Sequence, residues 1–488
     1  MARSATKSNS GLAGLQPWLT TLLLIALVVT LPLMMGHRTP STLTASGLVL
    51  VLGAGLTALV SMLGGLQNFS ADRRRVLPLG WWLFALAMTL WVVLQVLPLS
   101  ALAQALGPYP DVLWNQTEST PAQWSPNPAA SLRGWSTFFA LFLIAWLAGT
   151  LHSAQRDVLW LAIVAVGLLQ ALYGLYAHAS GSDSVLGIWS RNNPDFVHGT
   201  FSNRNLFAAY LALIWPLAIA IWWRRSIGLL SRMPFELRVA ASVISGAMIG
   251  AALLGSASRL GSAAGIAGLL MAFLLWTRYR AKRTRAVVFW PLLLVALAIL
   301  VAATWYGLTP LAERLAVTSI EREGRLVVLS QVISQVPIQW WLTGIGLGGF
   351  EAVFKQFQPG DLTGWYDYAH NDLLQWLVEM GLVGAGLLIA VLVTLVRNFK
   401  LSSERLPLYA GLIALALVGL GDFSWHIPGT QVVLAIYLGV VLQPPHGHSR
   451  VEAHSQRAET ARSEPAGPAM KPLADGVLPI QSTKGDIQ

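Results

Sequence analysis

The sequence has little charge and no cysteine. Only 11% of its 488 residues are charged, and 55% are hydrophobic. Soluble globular domains carry about a quarter charged residues, so this balance excludes an ordinary soluble domain and indicates a protein embedded in a bilayer. The absence of cysteine excludes disulfides, thiol catalysis and metal sites built on cysteine.

Apolar runs of membrane-spanning length recur along the chain. A helix needs roughly 20 mainly apolar residues to cross the hydrocarbon core. The sequence therefore predicts an all-α membrane bundle of about 12 transmembrane helices, occupying a domain at 17–443. The predicted spans are 17–35, 43–66, 77–98, 134–151, 158–177, 205–223, 239–256, 260–277, 286–306, 371–396, 406–420 and 427–443.

Basic residues predict the orientation of these spans, because Lys and Arg gather in cytoplasmic loops. One alternating set of short loops is rich in them, at 73–75, 224–238 and 278–285. The opposite set holds far fewer: Arg38, Arg191, Arg204 and Arg259. This pattern predicts a multi-pass protein with both termini in the cytoplasm. It also accounts for the net charge of +10 without nucleic-acid binding.

Three segments lie outside the spans. Residues 1–16 form a predicted cytoplasmic tail, and residues 444–488, rich in Pro, Ala and Ser, a predicted disordered cytoplasmic tail. A large outer loop at 307–369 separates the ninth and tenth spans. It contains a predicted amphipathic helix at 323–335 and the glycine-rich run 344–349. No strand precedes that run, so we expect close backbone packing or a sharp turn rather than a nucleotide-binding loop.

Polar residues gather at the outer ends of three spans. The sixth begins with Asn203 and Arg204, the eighth with Arg259, and the tenth with His370 and Asn371. These spans run from outside to inside, so their positive N-termini meet the outer face. Two arginines there favour an anion such as a diphosphate. A helix end biases His370 toward its neutral form, which suits a general base.

Each of these residues also has an ordinary interpretation. An arginine at a span end commonly anchors the helix at the interface, and a lone histidine there commonly caps it. Glu379, in the tenth span, is as easily a structural hydrogen-bond partner as a functional group. At about 100° per residue, Gly381 and Gly384 share the face of His370 and would let a neighbouring helix approach, whereas Glu379 lies opposite.

These motifs together resemble the O-antigen ligase and polymerase superfamily of bacterial membrane glycosyltransferases. His370-Asn371, nine residues and then Gly381-Leu382-Val383-Gly384 resemble the family signature. Further similarity lies in the upstream arginine motifs at 201–208 and 258–259, and in the periplasmic-loop residues Arg325, Pro337, 344–348 and Phe350. The resemblance covers about 195–440.

The resemblance implies a C-type glycosyltransferase fold in the bacterial inner membrane, with a periplasmic active site. The donor would be a glycan on undecaprenyl diphosphate. The acceptor would be a hydroxyl of lipid A–core or of a growing glycan, and no metal or other cofactor would be needed. Arg204 and Arg259 would hold the diphosphate, and His370 would deprotonate or orient the acceptor. Arg325, in the long loop, would contact glycan or phosphate. The other supporting candidates are Asn203, Asn371 and Glu379.

Several alternatives share the same sequence features. A polymerase of O-antigen or exopolysaccharide repeat units, or an O-oligosaccharyltransferase acting on protein, would use the same donor site. Acceptor choice would then lie in the outer loops at 100–133 and 307–369. A transporter would favour charged or broken helices at mid-membrane in both halves of the chain. Here the polar residues of interest gather at one face.

Overall fold

The computed structural model describes residues 8–36, 40–65, 79–101, 105, 123–191, 194–224, 226–279, 324–360, 362, 364 and 366–443. This part of the chain is mostly helical, with one small hairpin of β1 (Ser184–Val185) and β2 (Trp189–Ser190). The α-helices are α1 Ser8–Leu33, α2 Pro40–Gly65, α3 Leu79–Val96, α4 Pro128–Thr150, α5 Ser153–Ala179, α6 Arg204–Ala220, α7 Gly228–Ser231, α8 Phe235–Gly255, α9 Arg259–Tyr279, α10 Gly324–Gln335, α11 Ile338–Thr343, α12 Phe350–Phe354, α13 Asp372–Arg397, α14 Arg405–Gly419 and α15 Pro428–Val441.

Helices occupy every predicted span that the structure describes. Seven of the described helices are long and apolar enough to cross a membrane, and four shorter apolar helices accompany them. The protein is therefore a helical membrane protein. The ninth predicted span, 286–306, residues 307–323 of the predicted outer loop and the predicted tail 444–488 lie outside the described residues. Of the predicted tail 1–16, residues 1–7 also lie outside them, and α1 begins within it at Ser8. The figure of twelve crossings stays a prediction.

Helix α6 forms the centre of the bundle. It is apolar on all sides, and from Leu206 to Ile219 every residue is buried. A helix without a polar face is stable only when other helices surround it. Helices α8, α9 and α14 pack around α6, and α5 adds further contacts. Arg204, the first residue of α6, is thereby fixed at one end of the bundle.

Glycines bring several of these helices close together. At Gly439 of α15, an added Cβ would collide with the backbone oxygen of Ala145 in α4. At Gly411 of α14, it would collide with the backbone oxygen of Leu213 in α6. Small residues at such crossings allow backbones to approach, which is how membrane helices gain packing energy.

The tenth predicted span is interrupted, contrary to the prediction of one continuous helix. Within α13, Gly381 has φ 58° and ψ −149°, values that no α-helix contains. His370 precedes the helix and has φ 51°. Helical periodicity therefore does not relate His370 to Gly381, Gly384 or Glu379, and the predicted shared face was wrong.

The two parts of α13 have different surroundings. Most of the buried residues of α13 lie between Asp372 and Gly381. Beyond the break, Leu382 is 61% exposed and Val396 is 75% exposed, as expected of side chains that face lipid. Only the second part thus resembles a simple membrane span.

The glycine-rich run docks against the break in α13. The backbone N–H of Ile345 donates to Val378 O at 2.9 Å, and that of Gly346 donates to Glu379 O at 3.1 Å. Gly344, Gly346 and Gly348 all have positive φ, which glycine adopts at little cost. An added Cβ at Gly381 would lie 2.5 Å from Leu342 O. The expected close packing and sharp turns are confirmed, and Gly381 packs on the loop at the end of α11 rather than on another span.

Candidate functional site

The start of α6 and the turn that precedes α9 lie side by side. Arg204 donates from a terminal guanidinium nitrogen to Ser256 O at 3.4 Å. The backbone N–H of Val197, upstream of α6, donates to Gly255 O at 3.0 Å. The turn itself is tight, because Ala257 has φ 48°. Arg259 follows this turn as the first residue of α9.

The loop between α14 and α15 links α9 to the start of α13. An added Cβ at Gly421 would lie 2.8 Å from Leu260 Cδ2, in the first turn of α9. The side-chain amide of Asn371 donates to Leu420 O at 2.9 Å. The structure thus brings the N-terminal ends of α6, α9 and α13 to one end of the bundle, as the sequence predicts.

Arg204 is buried rather than extended toward an interface. It is 8% exposed, and its guanidinium carbon lies 4.0 Å from the ring centroid of Phe196. A stacked, desolvated guanidinium forms stronger charge interactions than an exposed one. This surrounding does not fit the interface-anchor alternative for Arg204. Arg259 is half-buried at the start of α9.

The segment that supplies Phe196 is held by Arg191. Its guanidinium donates to Ala177 O at 2.8 Å, to Phe196 O at 2.9 Å and to His198 Nε2 at 3.0 Å. Burial and the charge of Arg191 lower the pKa of His198 to about 4. A neutral imidazole is required here, because His198 accepts at Nε2 and donates at Nδ1 to Phe201 O. The hydrogen bonds of Arg191 therefore hold the chain between α5 and α6 in place.

His370 adopts a backbone conformation that is uncommon for residues other than glycine. Its φ of 51° lies in the left-handed region, where strain of about 1–3 kcal/mol is typical of functional sites. Its ring meets Phe423 edge-to-face, with centroids 4.9 Å apart. Nδ1 of His370 lies 3.5 Å from Asp422 Oδ1. The turn before α13 therefore aims the imidazole at a carboxylate of the α14–α15 loop.

Asp422 is held between His370 and Arg325. Arg325, in the first turn of α10, lies 3.2 Å from Asp422 Oδ2 and donates to Gly421 O at 3.1 Å. Burial alone would raise the pKa of the Asp422 carboxyl, but the adjacent His370 and the charge of Arg325 hold that pKa below its ordinary value. The carboxylate is therefore ionised at neutral pH, and it can stabilise an imidazolium on His370.

Two supporting candidates are helix caps. The side chain of Asn203 accepts from the backbone N–H of Asn205, and that of Asn371 accepts from the backbone N–H of Leu374. Such caps accept hydrogen bonds from the first backbone N–H groups of a helix, which have no acceptor within the helix. Both asparagines thus fix the helix starts that carry Arg204 and His370.

The sequence left open whether Glu379 is a structural or a functional residue, and its surroundings are those of a structural residue. It is 2% exposed, and its carboxyl accepts from the backbone N–H of Gly348 at 2.8 Å and of Phe350 at 3.3 Å. Gln375 donates to the same carboxyl at 3.1 Å. Among the described residues, the hydrogen-bond partners of its carboxyl all belong to the glycine-rich run, α12 and α13. The geometry supports the structural alternative for Glu379.

Residues 244–389 match the family model Wzy_C, O-antigen ligase. This range includes Arg259, Arg325 and His370. This segment of the chain is similar to O-antigen ligase domains. The resemblance to the O-antigen ligase and polymerase superfamily is confirmed on this segment, which is less than a third of the chain. A comparison with curated proteins found no match.

Sequence reasoning missed Asp422 and His426 as members of this candidate site. His426 donates from Nδ1 to Asp372 at 2.8 Å, so a second histidine–carboxylate pair lies next to the first. One signal was present: an acid and a histidine occur in the short loop between the last two apolar segments. Their partners lie about 50 residues earlier, and only tertiary structure identifies them.

The arrangement of the candidate site suits acid–base chemistry beside a bound anion. His370 has a carboxylate behind Nδ1, which leaves Nε2 for a substrate hydroxyl. Histidine backed by a carboxylate is a common general base, because the carboxylate orients the ring and stabilises its protonated form. Arg204 and Arg259 supply positive charge at the same end of the bundle.

Proposed function

We propose that this protein is an O-antigen ligase-type glycosyltransferase of the bacterial inner membrane. It would transfer a glycan from undecaprenyl diphosphate to a hydroxyl of lipid A–core at the periplasmic face. The observation that carries the proposal is the His370–Asp422–Arg325 arrangement at the end of the bundle where α6 and α9 begin with arginine. The family match at 244–389 supports the same class of reaction.

His370 is the proposed general base. Nε2 takes the proton of the acceptor hydroxyl as that oxygen attacks the anomeric carbon of the donor. The bond between this carbon and the diphosphate oxygen breaks, and undecaprenyl diphosphate leaves with the bonding electrons. A positioned base contributes about 10²–10⁴-fold to such a step. Attack opposite the leaving group inverts the anomeric configuration.

Arg204 and Arg259 are the proposed diphosphate-binding residues. Negative charge grows on the diphosphate as the glycosidic bond breaks. Two guanidinium groups and the N-terminal ends of α6 and α9 would stabilise that charge more in the transition state than in the ground state. A leaving group stabilised in this way needs neither a metal ion nor a proton donor.

Single substitutions test the proposal. His370→Gln, Arg204→Gln and Arg259→Gln are expected to abolish glycan transfer in cells while leaving membrane expression intact. His178→Gln and Arg133→Gln are controls: the His178 ring contacts Pro194 O at 3.3 Å and Arg133 is exposed, so neither side chain is paired with His370 or Asp422. Full activity in all three site variants would refute the assignment. A product that keeps the donor's anomeric configuration would refute direct displacement.

Deletion of the gene separates the ligase from its rivals. Loss of all capped lipopolysaccharide, with lipid-linked polymer accumulating, is the outcome expected for a ligase. Single repeat units on the lipid A–core would instead identify a polymerase, and loss of glycan from protein alone an O-oligosaccharyltransferase. A substrate flux that survives loss of His370 would favour a transporter.

A further inference from the structure

Two histidine–carboxylate pairs cross each other in this site. The segment before α13 contributes His370 and Asp372, and the α14–α15 loop contributes Asp422 and His426. His370 faces Asp422 at 3.5 Å, and Asp372 accepts from His426 at 2.8 Å. Each segment thus gives one histidine and one carboxylate, and the two pairs join the same two segments.

Aromatic rings join the two histidines into one cluster. The ring of Tyr368 stacks on Phe423 with centroids 4.8 Å apart and lies 4.7 Å from the ring of His426. Phe423 in turn lies against His370. His426 is therefore part of the same surface as the proposed base.

Asp372 fixes the charge of His426. Asp372 is fully buried and also accepts from the backbone N–H of Trp425 at 3.0 Å and the hydroxyl of Ser424 at 3.3 Å. A buried carboxylate requires a cation nearby, and among the described residues His426 is the one paired with it.

The surroundings of His426 favour the imidazolium. Burial alone would lower the pKa of His426, but the hydrogen bond and charge of Asp372 raise it above the ordinary value. Negative charges on Glu379 and Asp367 act in the same direction. An imidazolium has two N–H donors and no acceptor. It is therefore unsuited to act as a second base.

One of these donors is left for a ligand. Nδ1 donates to Asp372, whereas Nε2 has no hydrogen-bond partner within the part of the chain that the structure describes. The His426 side chain is 30% exposed. A charged donor that reaches solvent beside a candidate base can bind the oxygen of an anion.

We propose that His426 binds an anionic oxygen of a substrate, a phosphate or a carboxylate, through Nε2. The inference rests on the proposed function for the source of that anion, which is either the donor diphosphate or an acidic group on the acceptor. The two histidines then have separate tasks. His370 takes a proton, and His426 holds negative charge beside it.

Binding of inorganic diphosphate and of glucuronate tests this inference. The full chain, purified in lipid nanodiscs, is titrated calorimetrically as wild type, H426Q and D372N, with H178Q as the matched control. We expect H426Q to weaken the binding of at least one probe by about 10-fold, as for loss of one charged hydrogen bond, and H178Q to leave both unchanged. Equal affinities of wild type and H426Q for both probes overturn the inference.

The pH dependence adds an independent measurement. The imidazolium is present below the pKa of His426 and lost above it, so the advantage of wild type over H426Q should decline as pH rises through that pKa. D372N leaves His426 in place and should bring this decline to lower pH. If H426Q does not fold, an identical pH dependence of wild type and D372N overturns the inference instead.

Competition identifies the source of the anion. Displacement of the bound probe by undecaprenyl diphosphate assigns His426 to the donor, and displacement by a phosphorylated lipid A–core assigns it to the acceptor. Either result supports the inference. Binding that depends on His426 in a protein that transfers no glycan would overturn the proposed function alone. If the wild type transfers glycan but binds both probes no more tightly than H426Q does, the inference about His426 is overturned and the proposed function stands.

Discussion

At the scale of single residues, the proposed base depends on a partner distant in sequence. His370 and Asp422 meet because the turn before α13 and the loop after α14 lie at the same end of the bundle. Arg325 completes the arrangement from a third segment. The resemblance implied contact of Arg325 with glycan or phosphate, whereas the structure places it against Asp422. A role for Arg325 in supporting the base is therefore added to the proposal.

Asp422→Asn removes the charge of this partner and keeps its shape. The amide cannot stabilise a protonated His370, so kcat for glycan transfer is expected to fall by about 10²–10⁴-fold. The donor KM should change little. The measurement is steady-state transfer by the purified protein. Glu351→Gln is the control, because the Glu351 carboxylate in α12 is partly exposed and paired with Lys355, away from His370. An unchanged kcat in Asp422→Asn would contradict the role.

At the scale of elements, the break in α13 decides where the site lies. An uninterrupted helix would keep the carbonyls of Val378 and Glu379 in its own hydrogen bonds. Because of the break, these carbonyls accept hydrogen bonds from the backbone N–H groups of Ile345 and Gly346 instead. These bonds attach the glycine-rich run to the segment that follows His370. Glu379 holds the same run through its carboxyl. The conformation of this run therefore supports the position of the proposed base.

Gly381→Ala tests the importance of this break. The new Cβ would meet Leu342 O and Gly344 N within 2.6 Å, at a backbone φ that disfavours side chains. We expect a marked loss of thermal stability and of transfer activity, since neither backbone neighbour can move freely. Gly386→Ala in the same helix is the control, because nothing lies within 4 Å of its added Cβ. Equal stability of the two variants would show that the break is dispensable.

Protonation of His198 should loosen the segment between α5 and α6. Its pKa is about 4, below the ordinary value near 6.5 for an unfolded chain. A histidine whose pKa is lower in the folded than in the unfolded state stabilises the folded protein at pH values above the unfolded pKa. This stabilisation is lost as the pH falls toward 4. Hydrogen exchange of 181–203 in nanodiscs should therefore accelerate, after correction for intrinsic exchange, between pH 6.5 and 4. His198→Gln should lack that pH dependence, and an equal acceleration in the variant would exclude His198 as its cause.

At the scale of the whole molecule, glycines set the spacing of the bundle. Gly439→Ala forces a methyl group against the backbone of Ala145. Overpacking of this kind costs about 1–3 kcal/mol, so we expect a lower unfolding temperature in detergent. Gly55→Ala in α2, where the added Cβ meets open space, should unfold as wild type does. A wild-type unfolding temperature for Gly439→Ala would show that α4 and α15 can separate without loss.

The predicted orientation is testable because the chain has no cysteine. A single introduced thiol is then the only one to react. Ser180→Cys, after α5, should be labelled in spheroplasts by a membrane-impermeant maleimide, whereas Ser231→Cys, at the end of α7, should react only after lysis. Both serines are exposed. The reverse pattern would place the candidate site in the cytoplasm and contradict the proposed function.

Much of this protein is fixed by the sequence alone. Length and hydropathy locate the helices, because each apolar run must satisfy its own backbone hydrogen bonds in lipid. The starts at Arg204, Arg259 and Asp372 follow within one residue from polar groups at the ends of these runs. The candidate residues Arg204, Arg259 and His370 could be named for the same reason.

Only the tertiary structure decides which partners these residues have. The pairing of His370 with Asp422, and of Asp372 with His426, joins residues more than 50 positions apart, and no local pattern records such contacts. The break at Gly381 likewise depends on the backbone of a distant loop that occupies the space a side chain would need. Apolar periodicity in the sequence indicates which helix faces are buried. The chemistry of the site depends on which residues from other segments pack against those faces.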